Sequence, residues 1–80
     1  MVIYLSFEEL NNRFISNNKL KFKLYSLEYV VEKVDNGIEI YATYYQTRKS
    51  NYNSFEELMN NYTVYNEPLI NQINRIIVLE

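Results

Sequence analysis

The chain has 80 residues and a formal net charge of −2, and 48% of its residues are apolar. That length allows one domain over residues 1–80, and the apolar share excludes disorder. The absence of cysteine and histidine excludes disulfides and thiolate nucleophiles, and removes the commonest general base and zinc ligand.

The chain opens on Met1-Val2-Ile3-Tyr4-Leu5, an apolar start without the basic region and cleavage site of a signal peptide. Val2–Leu5 is a candidate extra strand. No apolar run reaches the ~20 residues that a membrane span needs, so a cytoplasmic location with no membrane contact is expected. Ser6-Phe7-Glu8-Glu9-Leu10 then recurs as Ser54-Phe55-Glu56-Glu57-Leu58. Each copy is a capping box, in which the serine oxygen accepts from the N3 amide and the glutamate reaches back to the N-cap amide. Both acids also sit at the positive end of the helix dipole, and Leu5 is placed to staple against Leu10. Helices are predicted to begin at Phe7 and Phe55. Helix initiation accounts for Glu8/Glu9 and Glu56/Glu57, so a metal or acid–base role for them is set aside.

In the first helix Phe7, Leu10, Phe14 and Ile15 follow helical spacing, and Ser16-Asn17-Asn18 ends it. Alternation follows. Leu20, Phe22 and Leu24 alternate with Lys19, Lys21 and Lys23. After a tight link at Tyr25-Ser26, Leu27, Tyr29 and Val31 alternate with Glu28, Val30 and Glu32. Asn36-Gly37 predicts a type I′ hairpin turn, with a third strand from Ile38 to about Tyr45. Two-residue loops at both turns would set Leu24 opposite Leu27, Phe22 opposite Tyr29 and Leu20 opposite Val31. In the second hairpin they would set Val31 opposite Ala42, Tyr29 opposite Tyr44 and Lys33 opposite Ile40. One face then collects Leu20, Phe22, Leu24, Leu27, Tyr29, Val31, Ile40, Ala42 and Tyr44 as core. The other shows Val30, Val34, Tyr41 and Tyr45 among charged residues.

Gln46–Asn53 is polar and aperiodic, a predicted loop. The second helix carries Phe55, Leu58, Met59 and Tyr62 on one stripe, and Thr63-Val64-Tyr65 is β-prone. Pro68 should open a short last helix running to about Arg75, with Ile76–Leu79 finishing as an extended segment. The expected fold class is α+β: a small antiparallel three-stranded sheet with helices packed on one face and room for extra strands at the termini.

This order of parts resembles a group of short proteins from low-GC Gram-positive bacteria and their mobile elements, over roughly residues 6–77. The residues that carry the likeness are the two S-F-E-E-L helix starts, the hairpin Phe22-x-Leu24-x4-Tyr29-x-Val31, Asn36-Gly37-x-x-Ile40 and Pro68-Leu69-Ile70. They are core, cap and turn positions, so the resemblance implies a fold and no activity. The apolar start Val2–Leu5 and the tyrosine-rich stretch from Tyr41 to Tyr52 depart from it.

The single glycine rules out a phosphate-cradling glycine-rich loop, and no serine lies in a nucleophile-elbow context. No cofactor, metal site or catalytic residue is expected, and the chain reads as a non-enzyme. The favoured function is a small protein-binding module, an inhibitor of a host system carried by a phage or mobile element in the manner of anti-CRISPR proteins. The alternatives are a homodimeric accessory protein and a weak nucleic-acid binder using the Lys19/Lys21/Lys23 row, which the nearby Glu28 and Glu32 disfavour. Tyr41, Tyr45, Arg48 and Tyr52 are the expected partner-binding residues, because they cluster in sequence and are of the types that dominate binding hot spots.

Overall fold

Both S-F-E-E-L segments start helices, as their chemistry requires. The computed structural model describes residues 6–45 and 48–79, so the expectations for Val2–Leu5 lie outside the described residues. Helix α1 covers Phe7–Asn17. The Ser6 hydroxyl accepts from the Glu9 amide at 3.2 Å, and the Glu9 carboxylate accepts from the Ser6 amide at 3.3 Å, which closes the capping box. Asn18, with φ of 56°, stops the helix in the left-handed region. Helix α2 covers Phe55–Asn61 and shows the serine half of the box, with Ser54 Oγ accepting from the Glu57 amide at 3.1 Å.

Between them lie β1 (Lys19–Leu24), β2 (Leu27–Val34) and β3 (Gly37–Ala42), then a 3-10 turn at Thr43–Tyr45 and β4 (Ser50–Tyr52). After α2 come β5 (Thr63–Val64), β6 (Glu67–Pro68), a 3-10 segment over Leu69–Arg75 and β7 (Ile77–Val78). The α+β class holds. Among the described residues the sheet has five strands rather than three, all antiparallel, in the order β4-β3-β2-β1-β7. Ser50–Tyr52 therefore corrects the expected loop, and Ile77–Val78 makes the extended end a strand. Thr63–Val64 is one arm of a small separate hairpin with β6. The last helix is 3-10 rather than α, and Pro68 precedes its first residue.

The first hairpin has the expected register: Leu20↔Val31, Phe22↔Tyr29 and Leu24↔Leu27. The second is shifted by two residues, with Val31↔Ile40, Tyr29↔Ala42 and Lys33↔Ile38. The turn residues are Asp35 and Asn36, and neither has positive φ. Gly37 opens β3 instead, at φ of 135°, where an added Cβ would collide with the Tyr52 carbonyl oxygen. The glycine admits the backbone of β4 rather than making a type I′ turn. A shift of two keeps every side chain on its face, so the core pattern survives the error.

Leu20, Phe22, Leu24, Tyr29, Val31, Ile38, Ile40 and Ala42 are buried on one face of the sheet. They meet Leu10 and Phe14 of α1, Phe55, Leu58 and Met59 of α2, and Leu69 and Ile76. Phe14 stacks on Phe55 at 5.3 Å between centroids, and Phe22 on Tyr29 at 5.2 Å. Three expectations fail here. Tyr44 is 78% exposed, because the 3-10 turn at Thr43 breaks the two-residue period that would have aimed it inward. Ile15 lies on the exposed side of α1. Val30 is buried on the outer face rather than displayed there, since it sits on the central strand between Lys21 and Tyr41. Val34 is half-buried.

Candidate interaction surface

The four expected partner-binding residues do not all lie on one face of the sheet. Tyr41, on the outer face of β3, is half-buried, and the Lys49 ammonium lies 5.2 Å from its ring centroid while pairing with Glu39 at 3.4 Å. Tyr45 is not on that strand, which ends at Ala42; it lies in the 3-10 turn. The Arg48 guanidinium carbon is 5.7 Å from the Tyr45 ring centroid, and Tyr44 packs edge-on against Tyr45 at 5.1 Å. Tyr52 faces the other way: it pairs with Ile38 and packs against the core. Burial pushes its phenol up, helped by the Glu57 carboxylate. Tyr45 and Arg48 are brought together with Tyr44, Tyr41 lies on the outer face of β3 beside Lys49, and Tyr52 lies on the opposite, core face.

A second group was not singled out from sequence. Tyr25 and Ser26 link β1 to β2 with φ of 52° and 71°, and Tyr65 and Asn66 link β5 to β6 with φ of 55° and 65°. Two consecutive left-handed residues are the type I′ pattern, normally supplied by Asn-Gly. An L-residue in this region costs roughly 1–2 kcal/mol. The chain places a tyrosine first in both turns. The two rings meet edge to face, with centroids 5.0 Å apart and planes at 69°. Both are exposed, Tyr65 at 73% and Tyr25 at 40%.

The β5–β6 turn is held from beneath. Gln72, 1% exposed, donates from Nε2 to the carbonyls of Val64 and Glu67, both at 2.9 Å. These are the residues that flank Tyr65-Asn66. The Gln72 carbonyl oxygen has no hydrogen-bond partner among the described residues. Below the exposed pair, Tyr29 and Tyr62 pack edge to face at 6.3 Å. Burial raises the Tyr29 phenol, and the neighbouring phenols of Tyr62 and Tyr65 raise it further. Tyr62 is raised by burial and then by Tyr52.

Register puts the Tyr25-Ser26 turn and the Thr43–Tyr45 turn at the same end of the sheet. The Thr43 hydroxyl donates to the Glu28 carbonyl at 3.3 Å and fixes that turn against the start of β2. Exposed Tyr25, Tyr44, Tyr45 and Tyr65 thus share one end of the molecule with Arg48 beside them. The opposite end, around Gly37, carries an open cleft of about 380 Å³ between Phe14, Ile15, Val34, Ile38 and Phe55. Among the described residues no group of three or more acidic side chains gathers to hold a metal ion. No described helix is long and apolar enough to cross a membrane.

The sequence signal for the missed pair is the two-residue link itself. Leu24-Tyr25-Ser26-Leu27 and Val64-Tyr65-Asn66-Glu67 each put a tyrosine between strand residues that pair across the turn. Comparison with family models, with curated proteins and with solved structures finds no match to this chain.

Proposed function

We propose that the chain is a small non-enzymatic module that binds a protein partner through its tyrosine end, as an inhibitor carried by a phage or mobile element would. The observation that carries this reading is the placement of Tyr25 and Tyr65 in left-handed turns where asparagine or glycine would fit without strain. Strain of this kind persists where a side chain must be held in a given position. Tyrosine gives large contact area at low entropic cost, and arginine beside it can pair with a carboxylate in bidentate fashion. The lysine row supports nucleic-acid binding less well: Lys19 pairs with Glu32 at 3.5 Å and Lys23 stands opposite Glu28.

The test is affinity capture from the native host with the intact chain, with Tyr44→Ala/Tyr45→Ala, with Tyr65→Ala, and with Ile15→Ala as a control on the far side. The expected result is one partner retained by the control and weakened by about 2 kcal/mol or more in the tyrosine variants, the range of a binding hot spot. Equal capture by all four would place the interface elsewhere and sink the proposal. A homodimer is the second reading, favoured by Ile77, 60% exposed on β7 at the sheet edge. Sedimentation as a dimer that Ile77→Lys converts to monomer would establish it.

A further inference from the structure

We propose that Tyr25 and Tyr65 form an oxidative cross-linking site, at which a peroxide-driven one-electron oxidant joins the two rings by a carbon–carbon bond. The rings touch at 5.0 Å, come from turns 40 residues apart in sequence, and are both open to solvent. Held by two hairpins, they meet without diffusion. This is the positional advantage that turns an encounter into an intramolecular step. The usual sinks for oxidants are scarce in this chain. It has no cysteine and no tryptophan, and of its two methionines Met59 is buried at 2% exposure. Apart from Met1, oxidant reaching the surface meets tyrosine.

Each phenol loses one electron and one proton to give a phenoxyl radical. The two radicals couple through the ring carbons ortho to their oxygens, and each ring then moves its displaced ortho hydrogen to its own oxygen, restoring both phenols. The protein loses two hydrogens in all. One hydrogen peroxide accepts the two electrons and two protons and becomes two waters. The product staples the β1–β2 hairpin to the β5–β6 hairpin, a covalent tie that a chain without cysteine cannot make as a disulfide.

The experiment treats dilute full-length chain with a haem peroxidase and hydrogen peroxide, alongside Tyr25→Phe, Tyr65→Phe and Tyr44→Phe. Phenylalanine keeps each ring and removes only the hydroxyl needed for coupling. The expected wild-type product is a monomer lighter by two hydrogens, with dityrosine fluorescence. Cleavage after lysine and arginine should leave the peptides 24–33 and 50–75 joined, with fragmentation placing the bond at Tyr25 and Tyr65. Tyr44→Phe should behave as wild type, and either of the other two variants should lose the product. Closing so long a loop in the unfolded chain should raise the melting temperature of the cross-linked monomer by on the order of 10 °C. The proposal is overturned if the only products are intermolecular dimers, if the bond maps to other tyrosines, or if it persists in Tyr25→Phe or Tyr65→Phe.

Discussion

Gly37 is a single position where two constraints coincide. Its φ of 135° suits glycine alone, and the Tyr52 carbonyl occupies the space a Cβ would need. Gly37→Ala should therefore cost about 2 kcal/mol or more, read as a lowered midpoint in denaturant titration. Phe22, 2% exposed and stacked on Tyr29, is the core counterpart. Phe22→Ala should cost about 3–5 kcal/mol, enough to unfold a domain of this size, and calorimetry would show the transition lost or greatly lowered. Tyr29 and Tyr62 make a pH prediction. Folding raises both phenols above 10.0, so the folded chain favours their neutral form. Stability is then complete below that pH and falls as pH rises through the raised values. Spectrophotometric titration should show these two phenols ionising late, together with loss of structure. At this scale the core was legible, since Leu20, Phe22 and Val31 alternate cleanly. Tyr44 was misplaced because one 3-10 turn resets a two-residue period without any mark in composition.

Asn36-Gly37 has the strongest turn signal in the chain, yet the turn forms one residue earlier and the glycine serves a neighbouring strand. Tyr25-Ser26 and Tyr65-Asn66 have weaker signals and both form the two-residue left-handed turn. Local propensity cannot see that β4 will arrive beside Gly37, nor that a tyrosine will be held at positive φ by contacts made 40 residues away. Helix starts were legible because the capping box is complete within four residues. The short edge strands were not, because β4 and β7 pair with residues already engaged in a hairpin and need no periodicity of their own. Replacing Tyr25-Ser26 by Asn-Gly should stabilise the hairpin by about 1 kcal/mol, a rise of about 4–8 °C in melting temperature. The same variant should weaken partner capture. A gain in stability with binding intact would show that the strain has no functional use.

The sheet divides the molecule into two faces and two ends. Helices and core occupy one face, charged side chains with a buried Val30 occupy the other, and the two ends differ in kind. One end is aromatic and strained; the other is a cleft beside Gly37. Tyr44→Ala/Tyr45→Ala should melt within a few degrees of wild type, because Tyr44 is largely and Tyr45 half exposed and neither belongs to the core. Unfolding of that variant would show that the 3-10 turn depends on its rings and would move it from surface to scaffold.

Strand order also governs how the chain comes to be folded in a cell. β1 pairs on one side with β2, its immediate successor, and on the other with β7, the last strand in chain order. The amide of Leu79 completes that seam by donating to the Lys21 carbonyl at 2.8 Å. During synthesis the β1–β2–β3 meander can form early, but the β7 side of β1 stays open until Ile77–Leu79 has emerged. An open edge flanked by Phe22 and Leu24 is a template for pairing with another nascent chain. A ribosome stalled before Ile76 would thus hold a half-made sheet with its stickiest border bare, and the tail that seals it is two strand residues long.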